Sequence, residues 1–463
     1  MPFDPRPTRQ IIFADQLLTP AGWRRNAHVV INADGLIARL GDGRPPGALC
    51  VDALLPAPGN VHSHSFQRAM AGLTERRSSH EQHDDFWSWR ETMYRFLSCL
   101  GPDDIEAIAA QVQMETLEAG YASIGEFHYL HHQPDGSPYD DPLEMTNRLM
   151  QSAENTGIGY THLPVLYMRG GLVNQPLEGG QRRFALTPDE FGVLFERINA
   201  QMRRRPTDFN AGAAAHSLRA VSLEGLAHVT ELAKDGPLHI HIAEQIAEVQ
   251  DVEKHLGARP VQWLLDNLDV DERWCLVHAT HLTKHEISSL AATQSVVGLC
   301  PITEANLGDG VFPANDFLAA GGRIAIGTDS NIRITLAEEL CLLEYSQRLK
   351  ERRRIILSDP SISCGRYLFQ HAVSGSSQTL GRNAGRIEAG ALADLTALNG
   401  DSTELPGLEG DRLLDAWIFA GDNRLVSDVW SAGRHVVRDG QHIKHREITD
   451  RFIRIVCKLR DIS

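Results

Sequence analysis

Short apolar runs alternate with helical stretches from about residue 56 to residue 383. Stretches such as DDIEAIAAQVQMETLEAG and TPDEFGVLFERINAQMRR predict helices from their apolar spacing. Eight apolar runs predict strands, which end near residues 60–64, 126–129, 164–167, 215–218, 239–244, 277–279, 299–302 and 327–330. Eight strand–helix units over about 300 residues match a (β/α)8 TIM-like barrel of the α/β class, with a doubly wound open sheet as the alternative.

Both ends of the chain carry a different pattern, of short β-like runs separated by turns. Examples are IIFADQLLTPAG and NAHVVINADGLIARLGDG near the start, and LADLTALNG and LVSDVWSAGRHVVRDGQ near the end. The two ends are therefore expected to build one small β-sandwich domain together. We predict that residues 1–55 and 384–463, including a C-terminal tail, form this domain, and that residues 56–383 form the barrel.

Composition narrows the class of protein. The chain has 463 residues, of which 42% are hydrophobic, so it can bury a sizeable core. A net charge of −15 argues against a nucleic-acid partner. The sequence has no apolar run long enough to cross a membrane and no signal-peptide pattern, so we expect a cytoplasmic protein. Seven scattered cysteines without a CxxC pair suit reduced thiols.

Two histidines, His62 and His64, stand at the end of the first predicted barrel strand, in PAPGNVHSHSFQRAMAG. Residues i and i+2 of a strand point to the same side, so both imidazoles share a face while Ser63 points away. Two converging imidazoles suit a zinc-like cation, and two surface histidines are the alternative for this pair alone. Gln67 follows three residues after His64 and is expected near the same open end, or mouth, of the predicted barrel.

The fifth predicted strand, PLHIHIAEQ, also ends in polar residues that can do chemistry. His239 and His241 alternate with isoleucines, so both histidines point to the polar side. His241 and Glu244 stand at the carboxyl end of the strand, where they can supply one more metal ligand and one proton carrier. A solvated strand edge is the alternative, but the isoleucines indicate that the other face is buried.

Two further strands end in candidate site residues. The strand predicted in RWCLVHATHLT ends at His278, and a structural histidine with satisfied hydrogen bonds is the alternative reading of that residue. The strand predicted in GGRIAIGTDSN is followed by Asp329, and a helix N-cap is the alternative for that residue. Barrel enzymes keep their chemistry at the carboxyl ends of the strands. Five candidates share that position: His62, His64, His241, His278 and Asp329. Four of them can complete a metal site with an open position for water.

A third histidine cluster lies in GEFHYLHH, after the second predicted strand. His128, His131 and His132 are close in sequence, but neighbouring side chains in a loop need not converge on one ion. We therefore predict that these histidines are not the metal ligands and that Tyr129 contacts the substrate.

The histidine pair, the two later single histidines and the aspartate resemble the amidohydrolase superfamily, and the resemblance covers nearly the whole chain. Within it, the loops are similar to those of the formimidoylglutamate deiminases. The stretches that carry this resemblance are HSHSFQRAMAGLTE, FWSWRETMY, GEFHYLHH, AAHSLRAV, HIHIAEQ, CLVHATHLT and GLCPITEANLGDG. One departure follows GTDS, where Asn331 and Arg333 stand in place of an expected histidine and small residues.

The resemblance implies a barrel of the amidohydrolase type with one zinc ion per chain. The implied ligands are His62, His64, His241 and Asp329. Iron, manganese or nickel are alternatives for such nitrogen and oxygen ligands. The resemblance also makes Glu244 a proton shuttle, His278 a polarising group near the attacking water, and Asp329 the acceptor of a proton from that water. The implied substrate-binding residues are Gln67, Arg90, Tyr129, His216 and Arg219.

The implied reaction is hydrolysis of N-formimino-L-glutamate to N-formyl-L-glutamate and ammonia, in histidine degradation. A small anionic substrate with two carboxylates suits Arg90 and Arg219, because a guanidinium group binds a carboxylate through two bonds. A surface ion pair is the alternative for each arginine. The resemblance further implies a homodimer.

Three other functions are compatible with parts of the sequence. Another deaminase of the superfamily, acting on guanine, a cytosine-like ring or an adenosine derivative, would not need two arginines. Imidazolonepropionase would open a ring instead of releasing ammonia. A non-catalytic barrel is disfavoured, because every expected ligand position is filled.

Overall fold

The computed structural model describes residues 9–75 and 86–460. The described residues form two sheets, whose strands are β1 (Gln10–Thr19), β2 (Gly22–Ile31), β3 (Ile37–Asp42), β4 (Leu49–Pro56), β5 (Gly59–Ser63), β6 (Ser123–His128), β7 (Gly159–Leu166), β8 (Phe209–Ala211), β9 (Ala213–Ser217), β10 (Leu238–Ile242), β11 (Trp274–His278), β12 (Val296–Leu299), β13 (Arg323–Ile326), β14 (Leu395–Leu398), β15 (Val426–Ser431), β16 (Arg434–Arg438) and β17 (Gln441–His442).

Helices follow most of the barrel strands. They are α1 (Phe86–Leu97), α2 (Pro102–Glu118), α3 (Glu144–Thr156), α4 (Pro188–Met202), α5 (Leu223–Leu232), α6 (Ile246–Leu256), α7 (Pro260–Asn267), α8 (Lys284–Ala292), α9 (Pro301–Leu307), α10 (Ala314–Ala319), α11 (Leu336–Glu351), α12 (Cys364–Thr379), α13 (Asp411–Ala420) and α14 (His445–Arg460). Short 3-10 helices span Ser65–Met70, Gly179–Phe184 and Asn423–Leu425. Among the described residues, no helix has the length and apolar character needed to cross a membrane.

The central sheet is the predicted parallel barrel. Its strands pair in the order β13, β12, β11, β10, β9, β7, β6 and β5, and the short β8 pairs with β7. All eight predicted strands are present. Residues Ser63 and Asp329 form a parallel bridge where the first and last strands meet. The N–H of His64 donates to the carbonyl oxygen of Asp329 at 2.9 Å, so the sheet closes at its mouth.

Gly327 permits this closure. A Cβ atom at this position would lie 2.8 to 2.9 Å from the backbone and Cβ of His62. Such contacts are too short for any side chain, so only glycine allows the last strand to approach the first this closely. The backbone then places Asp329 beside the two histidines of the first strand, where the N–H of Asp329 donates to the carbonyl oxygen of His62 at 2.9 Å.

The two chain ends build the second sheet, as predicted. Its strands pair in the order β17, β16, β15, β14, β4, β1, β2 and β3, with β1 and β4 parallel and the other neighbours antiparallel. The sheet has its own buried core, which includes Ile12, Leu54, Leu395 and Trp430. The exact domain boundaries at residues 55/56 and 383/384 stay predictions.

Buried ion pairs join the terminal sheet to the barrel. Arg434 of β16 pairs with Asp208, which precedes β8, and its Nη1 and Nη2 atoms each donate to one carboxylate oxygen. Close by, Arg382 donates to Asp394 at 2.8 Å. Burial on its own raises the pKa of Asp208, but Arg434 and Arg382 together outweigh this and hold the pKa below its usual value.

Candidate active site

The five side chains predicted at strand ends meet at the carboxyl end of the barrel. His62 lies in β5, His64 directly follows it, His241 lies in β10, His278 ends β11 and Asp329 follows β13. All five are buried. Two of them have left-handed backbones, with φ of 68° at His278 and 46° at Asp329. Residues held in such conformations often cluster at functional sites.

Three imidazoles converge on one point. The Nε2 atom of His62 lies 3.2 Å from Nε2 of His64 and 3.0 Å from Nε2 of His241. A carboxylate oxygen of Asp329 lies 3.3 Å from Nε2 of His64 and 3.6 Å from Nε2 of His62. Two ligands on one tetrahedral zinc ion, each about 2.0–2.1 Å from it, lie about 3.3 Å apart. The spacing therefore fits one small cation.

Backbone carbonyls orient two of these rings. Nδ1 of His64 lies 3.0 Å from the carbonyl oxygen of Phe127, and Nδ1 of His241 lies 3.0 Å from that of His216. A carbonyl oxygen can only accept, so each Nδ1 carries the proton and each Nε2 presents a lone pair to the shared point. Burial lowers the pKa of His64 to about 3 and lowers the pKa of His62 and His241, which keeps the rings neutral. Neutral imidazole is the form that binds metal.

His278 lies beside this centre among carboxylates. Its Nε2 atom is 3.7 Å from Asp329 and 3.8 Å from Glu244. Its Nδ1 atom donates to Glu304 at 3.2 Å. Burial on its own lowers the pKa of His278, but the three carboxylates outweigh it and raise the pKa well above its usual value. Burial raises the pKa of Asp329 to about 7, against the opposing effect of His278.

A pocket opens above the centre and contains every predicted substrate-binding residue. Its wall includes Gln67, Arg90, Tyr129, His216 and Arg219, together with His64, His241, Glu244, His278 and Asp329. The amide of Gln67 donates to the hydroxyl of Tyr129 at 3.2 Å. The pocket therefore joins two guanidinium groups to the histidine cluster within one cavity.

Aromatic and apolar residues that the sequence analysis did not single out also line the pocket. Tyr94, Tyr167 and Phe184 line the same pocket, as do Trp89 and Met93. Helical spacing could have found two of them, since Trp89 and Met93 are four residues apart in α1. Tyr167 directly follows β7 and so stands at a strand end, a signal that was available. Phe184 reaches the pocket from a 3-10 helix within a loop, and the sequence offers no comparable signal for it.

The histidines of GEFHYLHH lie elsewhere. His131 donates through Nε2 to the carbonyl oxygen of Val165 at 3.0 Å, and His132 to that of Ala185 at 2.7 Å. The ring of His128 packs 5.5 Å from that of His131.

Among residues 9–75 and 86–460, two groups of side chains have possible metal-ligand atoms within 4.8 Å of one another. The first is His62, His64 and His241, and the second is His278, Cys300 and Asp329. Cys300 was not expected near the centre.

The two departures from the resemblance lie outside the pocket wall. Asn331 is buried beneath the mouth, where its amide donates to the hydroxyl of Ser63 at 3.1 Å. Arg333 points away and pairs with Glu338. Asn331 thus connects the first strand to the last, whereas Arg333 lies at the surface.

Known proteins are similar to this chain in sequence. Residues 53–436 match the amidohydrolase family. The chain is 46% identical over 454 residues to a formimidoylglutamate deiminase of Pseudomonas aeruginosa, covering 97% of this chain and 99% of that protein. A 5-methylthioadenosine/S-adenosylhomocysteine deaminase of Natronomonas pharaonis is 26% identical, with 85% of each chain covered.

Solved structures share the fold. An amidohydrolase from Brucella melitensis superimposes with a TM-score of 0.93 at 43% identity, covering 97% of this chain and all of the other. A zinc-bound adenosine deaminase from Xanthomonas campestris superimposes with a TM-score of 0.81 at 21% identity, covering 99% of each chain. At that identity the second likeness concerns the fold alone.

Proposed function

The chain belongs to the amidohydrolase family, and from this premise we propose that its barrel mouth hydrolyses a carbon–nitrogen bond of a small anionic substrate. The observation that carries the proposal is one pocket lined by His64, His241 and Asp329 together with Arg90 and Arg219. The first three residues can hold a metal ion, and the two arginines can bind carboxylates.

Zinc fits the proposed ligands, which are His62, His64, His241 and Asp329. The donor set would be three neutral imidazoles and one carboxylate, whose nearest ligand atoms lie 3.0 to 3.3 Å apart and so could share one small cation. When bound, zinc supplies Lewis-acid chemistry that makes water a competent nucleophile near neutral pH. Iron, manganese and nickel accept the same donors, so zinc is the choice to be tested.

The two arginines support an anionic substrate. A guanidinium group binds a carboxylate through two parallel hydrogen bonds that the opposite charges strengthen, whereas a neutral nucleobase carries no opposite charge. The relative from Pseudomonas aeruginosa is a formimidoylglutamate deiminase. Its substrate, N-formimino-L-glutamate, carries two carboxylates, for which Arg90 and Arg219 provide two cations. Gln67, Tyr129 and His216 would complete the contacts to the substrate.

In the proposed reaction Asp329 and Glu244 move protons, and His278 contacts the attacking oxygen. Asp329 accepts a proton from the attacking water. His278 hydrogen-bonds the attacking oxygen. Glu244, which also lines the pocket, delivers a proton to the leaving nitrogen. Ammonia leaves, and N-formyl-L-glutamate remains, a reaction that the family resemblance places in histidine degradation.

The test is an ammonia-release assay with the purified, zinc-loaded protein. N-formimino-L-glutamate is the substrate, and guanine, cytosine, adenosine and imidazolone propionate are parallel controls. We expect stoichiometric ammonia and N-formyl-L-glutamate from the first compound alone. Turnover of a base instead would overturn the proposed roles of Arg90 and Arg219. Ring opening of imidazolone propionate without ammonia would favour imidazolonepropionase.

Two further proposals concern the protein as a whole. A homodimer follows from the family resemblance, and sedimentation of the purified protein tests it. A cytoplasmic location follows from the scattered cysteines and the metabolic reaction, and cell fractionation tests it. Neither proposal alters the chemistry assigned to the pocket.

A further inference from the structure

The stretch GLCPITEANLGDG helped to define the resemblance, yet only Leu307 of its residues lies on the pocket wall. The stretch runs from the end of β12 through α9. Glu304, in the first turn of α9, is buried and does not line the pocket. Its carboxylate faces the proposed catalytic centre from behind His278.

Glu304 makes two hydrogen bonds through one oxygen. Its Oε1 atom accepts from Nδ1 of His278 at 3.2 Å and from the backbone N–H of Cys300 at 2.9 Å. The second bond fixes the carboxylate against the start of its own helix. A carboxylate held in this way presents a fixed acceptor to the ring of His278.

The backbone of His278 does not fix the ring by itself. His278 and Ala279 have φ values of 68° and 45°, in a region that side-chain-bearing residues seldom adopt. Such a conformation persists only where surrounding contacts hold it. The bond to Glu304 is a contact that acts on the ring itself, opposite the edge that faces Glu244 and Asp329.

We propose that Glu304 is a positioning residue for His278: it holds the ring plane and keeps the Nδ1 proton in place, so that Nε2 faces the reacting atoms. The inference rests on the proposed function, in which His278 hydrogen-bonds the attacking oxygen. A carboxylate behind a functional histidine orients the ring and selects its tautomer. Loss of such a partner behind a metal-ligating histidine typically lowers activity about 10–100-fold, and we expect a loss of the same order for the partner of His278.

Steady-state kinetics of zinc-loaded Glu304→Ala and Glu304→Gln test the proposal. We expect Glu304→Ala to lower kcat about 10–100-fold, with KM changed less than about twofold because the residue is not on the pocket wall. Glu304→Gln should recover part of that loss, since an amide oxygen can accept the same bond. Equal losses in both variants, or a loss confined to KM, would overturn the proposal.

Glu339 of α11 offers a matched control. It is fully buried and accepts from the backbone N–H of Ile302 in α9 at 2.8 Å, so it also holds this helix. Its bond goes to the helix and not to His278. Glu339→Ala should therefore destabilise the protein and leave kcat within about twofold. A kcat loss equal to that of Glu304→Ala would mean that Glu304 acts only through the helix.

Two measurements separate this proposal from the proposed function. In a His278→Asn background, adding Glu304→Gln should lower kcat almost no further. If the two residues acted independently, the two fold-losses of kcat would multiply. Crystal structures of Glu304→Ala and of the unchanged protein give a readout without substrate. We expect the His278 ring to rotate in the variant, and an unmoved ring refutes the positioning role. Absence of ammonia release by the unchanged protein would refute the proposed function alone.

Discussion

The Nε2 atoms of His62 and His241 face each other at 3.0 Å, although 179 residues separate them along the chain. Nδ1 of His241 is already bonded to the carbonyl oxygen of His216, so its Nε2 presents a lone pair. Burial lowers the pKa of both rings and keeps them neutral, and neutral imidazole is the form that binds a metal ion. The 3.0 Å separation then lets both rings donate a lone pair to one small cation.

Replacing His241 by alanine should therefore abolish zinc retention. One imidazole less leaves an incomplete donor set, and we expect less than about one tenth of the zinc of the unchanged protein after dialysis, with ammonia release lost in parallel. Metal analysis by mass spectrometry gives the readout. His239, two residues earlier in β10, serves as the control, because its Nε2 atom donates a hydrogen bond to the carbonyl oxygen of Thr379 at 2.9 Å. His239→Gln should keep its zinc, and full zinc content in His241→Ala would contradict the ligand assignment.

Arg219→Met should weaken substrate binding and leave the metal in place. A lost charge-assisted hydrogen bond to a carboxylate costs about 1.5–3 kcal/mol, which corresponds to a KM raised about 10–150-fold. Zinc content should not change, because Arg219 lies on the pocket wall and is not among the proposed ligands. Steady-state kinetics with N-formimino-L-glutamate measure the effect.

Arg333→Met is the matched control for this experiment. Arg333 is a surface residue paired with Glu338 and does not line the pocket, so KM should stay within about twofold. An unchanged KM in Arg219→Met would mean that Arg219 forms an ordinary ion pair and does not bind the substrate.

The sequence predicts the mouth of the barrel well, because two local rules suffice for it. Side chains two apart in a strand share a face, and parallel strands end at one edge. His62, His64 and Asp329 follow from these rules. Tyr94 and Glu304 do not, because their positions depend on how α1 and α9 pack. Periodicity predicts that a helix exists, but not which of its polar side chains turns toward a given histidine.

The terminal sheet shows the same limit. The β-like character of both chain ends predicts that they form strands, and the strands are present. The parallel pairing of β1 with β4, and the insertion of β14 beside β4, join residues far apart in the sequence. Such pairings depend on long-range packing that no local pattern encodes.

Acid should destabilise the protein through His131. Burial lowers the pKa of His131 to about 4, against about 6.5 in an unfolded chain. Between these values the unfolded chain binds more protons, so the free energy of unfolding falls as the pH falls from about 6.5 to about 4. His131 alone should contribute about 2 kcal/mol of lost stability between pH 7 and pH 5.

Chemical denaturation of His131→Gln at pH 7 and pH 5 tests this contribution. The variant keeps a donor for the carbonyl oxygen of Val165 but has no titrating ring, so its two free energies of unfolding should differ by about 2 kcal/mol less than those of the unchanged protein. Leu130→Ala disturbs the same buried turn without changing a titratable group, and it should lower both free energies equally. Identical pH dependence in His131→Gln and the unchanged protein would refute the assignment.

Asp208→Asn should destabilise the junction between the barrel and the terminal sheet. Arg434 donates two bonds to this carboxylate, and both side chains are buried. Removing one partner of a buried pair leaves the other charge without compensation, which typically costs about 3–5 kcal/mol. Denaturant midpoints measure the loss. Asp422 pairs with Arg424 at the surface, and Asp422→Asn should cost at most about 0.5 kcal/mol because water screens that pair. Equal losses in the two variants would mean that the buried pair contributes no more to stability than a surface pair does.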